Sequence, residues 1–180
     1  MTKDSNSKPA VFIDRDGTLI EEVNFLSKVE DLRIFPYTPA ALATLRDNDY
    51  RVVVITNQSG IGRKIFSESE MQAIHDEIER RMPDAVDAFY YCPHLPGDGC
   101  RCRKPNLGLI EDACSRFGID MSRSWFIGDK MVDVETGFNA GIKTAMVLTG
   151  YGAEHSRQLE RHPNLIVENL LEAAEQIVKY

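Results

Sequence analysis

The chain has 180 residues, 28 acidic and 21 basic, for a formal net charge of −7, with 43% hydrophobic and 27% charged residues. A chain of this size can bury about 70% of its unfolded surface in one domain of ordinary dimensions, and its composition excludes a disordered or fibrous protein. No apolar run reaches the ~20 residues of a membrane span, residues 1–8 are polar rather than signal-like, and the acidic surplus disfavours a nucleic-acid backbone.

The expectation is a cytoplasmic monomer with neither membrane nor nucleic acid as partner. Residues 1–9 read as a flexible tail and 10–180 as one domain. The stretch from Ala10 to Asp14 (AVFID) reads as a buried strand ending in a carboxylate. Thr38–Asn48 is a helix opened by a capping threonine and Pro39. Arg51–Thr56 is β-branched throughout and reads as a strand. Ser67–Met82 opens with the capping-box pair Ser67 and Glu70 and stops before Pro83. Ala88–Tyr91 is a strand, and Asn106–Phe117 a helix stopped by Gly118. Ser124–Gly128 is a strand, Val132–Ala140 a helix closed by Gly141, and Thr144–Leu148 the last strand. Residues 152–164 read as a loop with a short helix, and Glu168–Lys179 as an amphipathic helix. Continuous apolar strands separated by helices specify a three-layer α/β, Rossmann-like parallel sheet covered on both faces. Ligands of such sheets bind beyond the carboxyl ends of the strands.

Four stations lie at those ends. They are Asp14-Arg15-Asp16-Gly17-Thr18, Thr56-Asn57-Gln58-Ser59-Gly60, Arg103-Lys104-Pro105 and Gly128-Asp129-Lys130 with Asp133. Asp14 and Asp129 brought together repel each other unless a divalent cation lies between them, and hard oxygen ligands of this kind suit Mg²⁺ beside a substrate phosphate. An aspartate shielded in this way can attack phosphorus. Asp16, two residues on, is placed to give a proton to a leaving oxygen and take one back from water. Thr56, the backbone amides of Asn57 and Gln58, and Lys104 supply donors for the equatorial oxygens. Arg103 and Lys130, with Arg63 as a further candidate, form a local basic edge for remaining anionic groups.

Between the second and fourth stations, Cys92, His94, Cys100 and Cys102 fall within eleven residues of a Pro- and Gly-containing loop. Three thiolates and one imidazole make a closed tetrahedral Zn²⁺ set with no ligand position to spare, hence a structural zinc bracing the approach to Lys104. Cys114 lies in a helix pattern and is expected to pack as a small hydrophobe. His75, His155 and His162 carry no partner pattern and are expected to be ordinary surface or core histidines, with Trp125 in the core.

Taken together, the four stations resemble the motifs of the haloacid dehalogenase superfamily of phosphotransferases, across residues 12–133. The resemblance implies Asp14 as a nucleophile forming an aspartyl-phosphate and Asp16 as acid/base. It also implies Thr56 and Lys104 as phosphoryl stabilisers, and Mg²⁺ held by Asp14, Asp129 and the Asp16 carbonyl. Only 42 positions separate Asp14 from Thr56, too few for a cap domain, so the site is expected to be open. The cysteine cluster before Arg103-Lys104-Pro105 is similar to that of the histidinol-phosphatase and heptose-bisphosphate phosphatase branch. Residues 56–66, 90–94, 128–130 and 147–150 lean to the heptose enzymes. That resemblance implies a phosphomonoesterase acting on the C7 phosphate of a small bisphosphorylated sugar. Its implied substrate-binding residues are Asn57, Gln58, Ser59, Arg103 and Lys130, and the loop Glu22–Phe25 falls near the sugar. Histidinol phosphate is the alternative substrate, with Glu22 facing its ammonium group. A receiver-like signalling domain fits the Asp-x-Asp-Gly-Thr order less well. A nucleic-acid-binding zinc ribbon is disfavoured because no aromatic residues interleave the basic ones.

Overall fold

The apolar runs pair side by side, all in parallel. The computed structural model describes residues 7–180 and contains β1 (Ala10–Ile13), β2 (Arg51–Asn57), β3 (Ala88–Cys92), β4 (Trp125–Gly128), β5 (Lys143–Val147) and β6 (Leu165–Val167). Their spatial order is β3-β2-β1-β4-β5-β6. Chain order reverses direction between β1 and β4, whose register pairs Phe12 with Phe126 and Ile13 with Ile127. That switch point leaves a crevice at the carboxyl edge of the sheet, where open α/β folds place ligands. It also sets Asp14 beside β4, with its backbone N–H donating to the Ile127 carbonyl at 2.9 Å.

Side chains alternate between the two faces with the period of two that a pleated strand imposes. Val11, Ile13, Val52, Val54, Trp125 and Ile127 point to one face, covered by α1 (Thr38–Asp47), α3 (Glu68–Arg81) and α7 (Leu170–Ile177). Phe12, Val53, Ile55 and Phe126 point to the other, under α4 (Gly108–Phe117). On that second face Gly137 of α5 (Met131–Asn139) lies against Phe126 and Thr144. Two one-turn helices, α2 (Ser59–Gly62) and α6 (Gly152–His155), complete the layers. The three-layer α/β expectation is met, and Trp125 is 1% exposed in the core. Between β1 and β2 lie only a loop with a 3₁₀ turn at Val29–Asp31 and α1, which leaves no room for a cap domain.

The structure corrects several local expectations. Thr38 does not cap α1. It is the first helical residue, and its hydroxyl donates to the buried Leu19 carbonyl at 2.8 Å, because that acceptor needs a partner in the core. The Ser67–Glu70 capping box of α3 forms as read, and Gly118 ends α4 in the left-handed conformation. The sheet has one strand more than expected. β6 is three residues long, too short for a pattern, and is docked where Asn164 accepts from the Thr144 N–H and donates its own N–H to the Thr144 carbonyl. Of the expected tail, residues 1–6 lie outside the described residues. Lys8 and Pro9 are tied by their carbonyls to Asp120 and Arg51. No helix among the described residues is long and apolar enough to cross a membrane.

Candidate active site

Asp14, Thr56 and Asp129 sit where strands stop, because there the backbone leaves the sheet and turns polar groups towards the crevice. Asp14 follows β1, and Thr56 is the penultimate residue of β2. Asp129 follows β4, and Asp133 is in the first turn of α5, where its Oδ2 accepts from the Lys130 N–H at 3.0 Å. Lys104 arrives from the loop before α4. Its Nζ donates to Asp14 Oδ1 at 2.7 Å, Asp133 Oδ1 at 2.6 Å and the Ile55 carbonyl at 3.0 Å. All four charged side chains are buried. The backbone of Lys104 is clamped by Asn57, which accepts from the Lys104 N–H at 3.0 Å and donates to its carbonyl at 3.3 Å.

Burial and three neighbouring carboxylates set the electrostatics. Oxygens of Asp14, Asp129 and Asp133 lie within 4.8 Å of one another. Burial first, and then the charge of Asp14, push the Asp129 carboxyl up to about 8. Burial likewise raises Asp133, against the pull of Lys104. Burial would lower Lys104, yet Asp133 and Asp14 outweigh it and hold the ammonium above its usual range. Asp129 Oδ2 accepts from the Tyr151 N–H at 2.8 Å, whereas its Oδ1 is buried without a hydrogen-bond partner. A clustered carboxylate set whose ionisation is opposed by burial and mutual repulsion, with one oxygen lacking a hydrogen-bond donor, is a donor set fit for a divalent cation. Gly17 makes the close approach possible. With φ at +85°, it lies where a Cβ would stand 2.3 Å from Asp129 Oδ2.

Asp16 faces the same cavity but belongs to a different network. Its Oδ2 accepts from Arg15 Nε at 3.0 Å and Gln58 Nε2 at 2.8 Å, and its Oδ1 from Arg15 Nη2 at 3.0 Å. Burial alone would raise this carboxyl, but Arg15 and Gln58 more than offset it and hold it below the usual range. The Gln58 amide also donates to Thr56 Oγ1 at 2.8 Å, leaving that hydroxyl free to donate outward. The backbone N–H of Gln58, expected to face the phosphate, instead donates to the Cys92 carbonyl at 2.8 Å, because β2 and β3 are still paired at that point.

The cavity above these groups has a volume of about 220 Å³. Asp14, Asp16, Thr56 and Lys104 line it, as do Asn57, Gln58, Ser59, Arg103 and Lys130. The loop from Glu22 to Leu26 forms its outer wall, and Arg63 is not among its lining residues. Lys130 Nζ lies 3.0 Å from Glu22 Oε2, 3.6 Å from Asp129 Oδ1 and 4.9 Å from the Tyr151 ring centroid. Burial lowers its basicity, but Asp14, Asp129 and Glu22 raise it further. Sequence reading did not find the Glu22–Lys130 pair, because 108 positions separate the two residues. It also missed the part played by Arg15, whose one visible signal is its place between two candidate aspartates.

The cysteine loop closes as expected. Cys92, His94, Cys100 and Cys102 bring one ligand atom each within 4.8 Å of the others. The Cys92 sulfur lies 3.6 Å from that of Cys100 and 3.2 Å from that of Cys102, and His94 Nδ1 is 3.2 Å from Cys102 Sγ. Tetrahedral zinc with ~2.3 Å bonds to sulfur spaces its thiolates by about 3.8 Å, so the four groups fit that ion. Cys114 is half-buried against Met121. Two of the histidines acquire partners. His75 is buried against Arg15, and His155 accepts the Met131 N–H at the start of α5.

Known proteins match this chain along most of its length. The HAD-hydrolase-like family model matches residues 101–173. A D-glycero-beta-D-manno-heptose-1,7-bisphosphate 7-phosphatase of Haemophilus ducreyi is 35% identical over 175 residues, 92% of this chain and 96% of its own. The enzyme of the same name from Neisseria meningitidis serogroup A is 33% identical over 177 residues, 94% of each chain. Among solved structures, the D,D-heptose 1,7-bisphosphate phosphatase of B. bronchiseptica, complexed with magnesium and phosphate, superposes with a TM-score of 0.88. It is 33% identical in sequence and covers 95% of this chain and 98% of its own.

Proposed function

This chain belongs to the D-glycero-D-manno-heptose-1,7-bisphosphate 7-phosphatase family of haloacid-dehalogenase-like hydrolases, and on that premise we propose that it is a cytoplasmic phosphomonoesterase that removes the C7 phosphate of the heptose bisphosphate. The observation that carries the reading is the arrangement of charge in one cavity, with Asp14 and Lys104 at its floor, backed by the buried Asp133, and Arg103 and Lys130 at its wall. The floor suits the phosphoryl group that reacts, and the wall suits the second phosphate that is retained.

In the first transfer Asp14 forms a bond to phosphorus and the bond to the leaving oxygen breaks. Its electron pair stays on that oxygen, which takes a proton from Asp16, protonated for this step against the preference for the ionised form that Arg15 and Gln58 impose on the free enzyme. In the second, a water oxygen bonds to phosphorus, its proton passes to Asp16, and the aspartyl-phosphate bond breaks to restore the Asp14 carboxylate. Asp16 is thereby recharged for the next turnover. The Thr56 hydroxyl and the Lys104 ammonium hold the equatorial oxygens and the attacking carboxylate in place. Asn57 contributes by fixing Lys104, Gln58 by fixing Asp16, and Ser59 lines the opening. Asp14, Asp129 and the Asp16 carbonyl would hold Mg²⁺, with Asp133 beside them. Bound there, the ion offsets the repulsion between the attacking carboxylate and the phosphate. Zn²⁺ at Cys92, His94, Cys100 and Cys102 would brace the strand of loop that delivers Arg103 and Lys104.

Phosphate release from heptose 1,7-bisphosphate and from histidinol phosphate tests the substrate. The expected kcat/KM is at least ~10-fold higher for the bisphosphate, since desolvated cation–phosphate contacts contribute 1.4 kcal/mol or more. A tenfold preference for histidinol phosphate sinks the reading. Asp14→Asn is expected to remain folded by circular dichroism while kcat falls by ~10⁴ or more.

A further inference from the structure

Arg15 is one of the largest fully buried side chains of the protein, at 0% exposure, yet it stands between the two aspartates of the first motif. A guanidinium withdrawn from water costs several kcal/mol unless its donors are satisfied, so where those donors go is informative. Nε and Nη2 form a two-pronged fork on the two oxygens of Asp16, each at 3.0 Å. Nη1 faces His75 Nε2 at 3.2 Å. Arginine has no acceptor, so the His75 nitrogen must accept and the ring must be neutral, with its proton on Nδ1. Burial and the adjacent Arg15 charge lower the His75 pKa to about 3, which keeps it neutral at any working pH. The imidazole is itself fixed, lying on α3 and stacked on Phe89 of β3 with ring centroids 4.6 Å apart.

We propose that His75 and Arg15 are positioning residues for the proton transfers of Asp16, forming a brace that runs from α3 through the guanidinium to the carboxylate at the cavity wall. The inference rests on the phosphomonoesterase reading above. A carboxylate on a turn after a strand has two free side-chain torsions. The planar fork removes them, and Gln58 fixes the same group from the loop after β2. Proton delivery to the leaving oxygen needs heavy atoms within about 3 Å, so in the first transfer a carboxyl free to swing loses rate only when the leaving group needs the proton, whereas the second transfer, common to all substrates, is slowed alike. Neither Arg15 nor His75 lines the cavity, so neither is expected to alter substrate binding.

The test compares two probes on each enzyme preparation: p-nitrophenyl phosphate, whose leaving group needs little protonation, and a primary alkyl phosphate, whose leaving group needs it fully. The ratio of the two kcat/KM values, which report the first transfer alone, is independent of the fraction of active protein. His75→Phe keeps an aromatic ring against Phe89 and loses the acceptor. It is expected to lower kcat/KM for the alkyl phosphate by ~10–30-fold and for the aryl phosphate by less than ~3-fold. His75→Gln, whose amide oxygen takes the place of Nε2, is expected to restore most of the loss. Arg15→Lys, which keeps a buried cation without the fork, is expected to show the same selective loss, and it supplies the ratio should His75→Phe fail to fold. Equal losses of kcat/KM on both probes, or no loss on either, overturn the proposal and leave a purely structural ion pair. Failure of the wild-type protein to release phosphate from either probe overturns the phosphomonoesterase reading and this inference with it.

Discussion

Asp129→Asn is expected to make the magnesium-free protein more stable, although it deletes a candidate metal ligand. Asp129 is completely buried beside Asp14 and Asp133, and its Oδ1 accepts no hydrogen bond, with Lys130 Nζ 3.6 Å away. Its carboxyl rises from an ordinary 3.8 to about 8 on folding. Because the folded state holds the proton more tightly, the wild type loses stability as pH rises from about 4 to about 8. The loss is complete above that window and absent below it. At 1.36 kcal/mol per pH unit of difference, the penalty approaches ~4 kcal/mol at pH 7. Relaxation and water entry reduce it, so about 2–4 kcal/mol is expected. Asparagine carries no charge and keeps an oxygen for the Tyr151 N–H, now 2.8 Å from Asp129 Oδ2. Urea titration after gel filtration into magnesium-free buffer measures the effect. A chelator would also strip the cysteine cluster. With a slope near 2 kcal/mol/M, the midpoint of the variant should lie ~1–2 M higher at pH 7–8 and converge with wild type near pH 4. Millimolar Mg²⁺ should raise the wild-type midpoint and leave that of the variant unmoved. A variant less stable than wild type in magnesium-free buffer at pH 8, or a gain of equal size at pH 4 and pH 8, refutes the reasoning.

Two further substitutions probe the supports of the site. Cys92→Ser removes a proposed zinc ligand that is also 0% exposed in the core. Zinc measured by atomic absorption should fall from about one per chain to near zero, and the melting temperature should drop by ~6–12 °C, equivalent to ~3 kcal/mol. Retention of stoichiometric zinc would exclude Cys92 as a ligand. Gly17→Ala places a Cβ 2.3 Å from Asp129 Oδ2 at a φ of +85°. The turn should cost ~1–2 kcal/mol of stability, seen as an earlier urea midpoint. Displacing Asp129 by a fraction of an ångström to an ångström should cost ~100-fold in kcat, and an active enzyme with an unchanged midpoint would show that the turn tolerates a side chain.

Local chemistry made much of this molecule legible in its sequence. Five of the six strands, the capping box of α3 and the glycine stop of α4 follow from β-branching, hydrogen-bonding side chains and left-handed backbone, all of which act within a few residues. The four motif stations and the cysteine loop were equally visible, since each is contiguous or closely spaced. What required the tertiary structure are pairings between residues far apart in the chain. The hydroxyl of Thr38 serves Leu19 rather than its own helix, and β6 becomes a strand only because Asn164 docks against Thr144. Glu22 meets Lys130 across 108 positions, and His75 meets Arg15 across 60. Composition and periodicity determined the layers and which strand ends carry the chemistry. The placement of β1 beside β4 decided how close the carboxylates come, and hence that Asp129 holds its proton more tightly than usual and that the arginine between two aspartates faces inward. Spacing along a chain bounds separation in space only over short loops, whereas the field at a buried carboxylate is set by whichever charges the fold brings within a few ångströms.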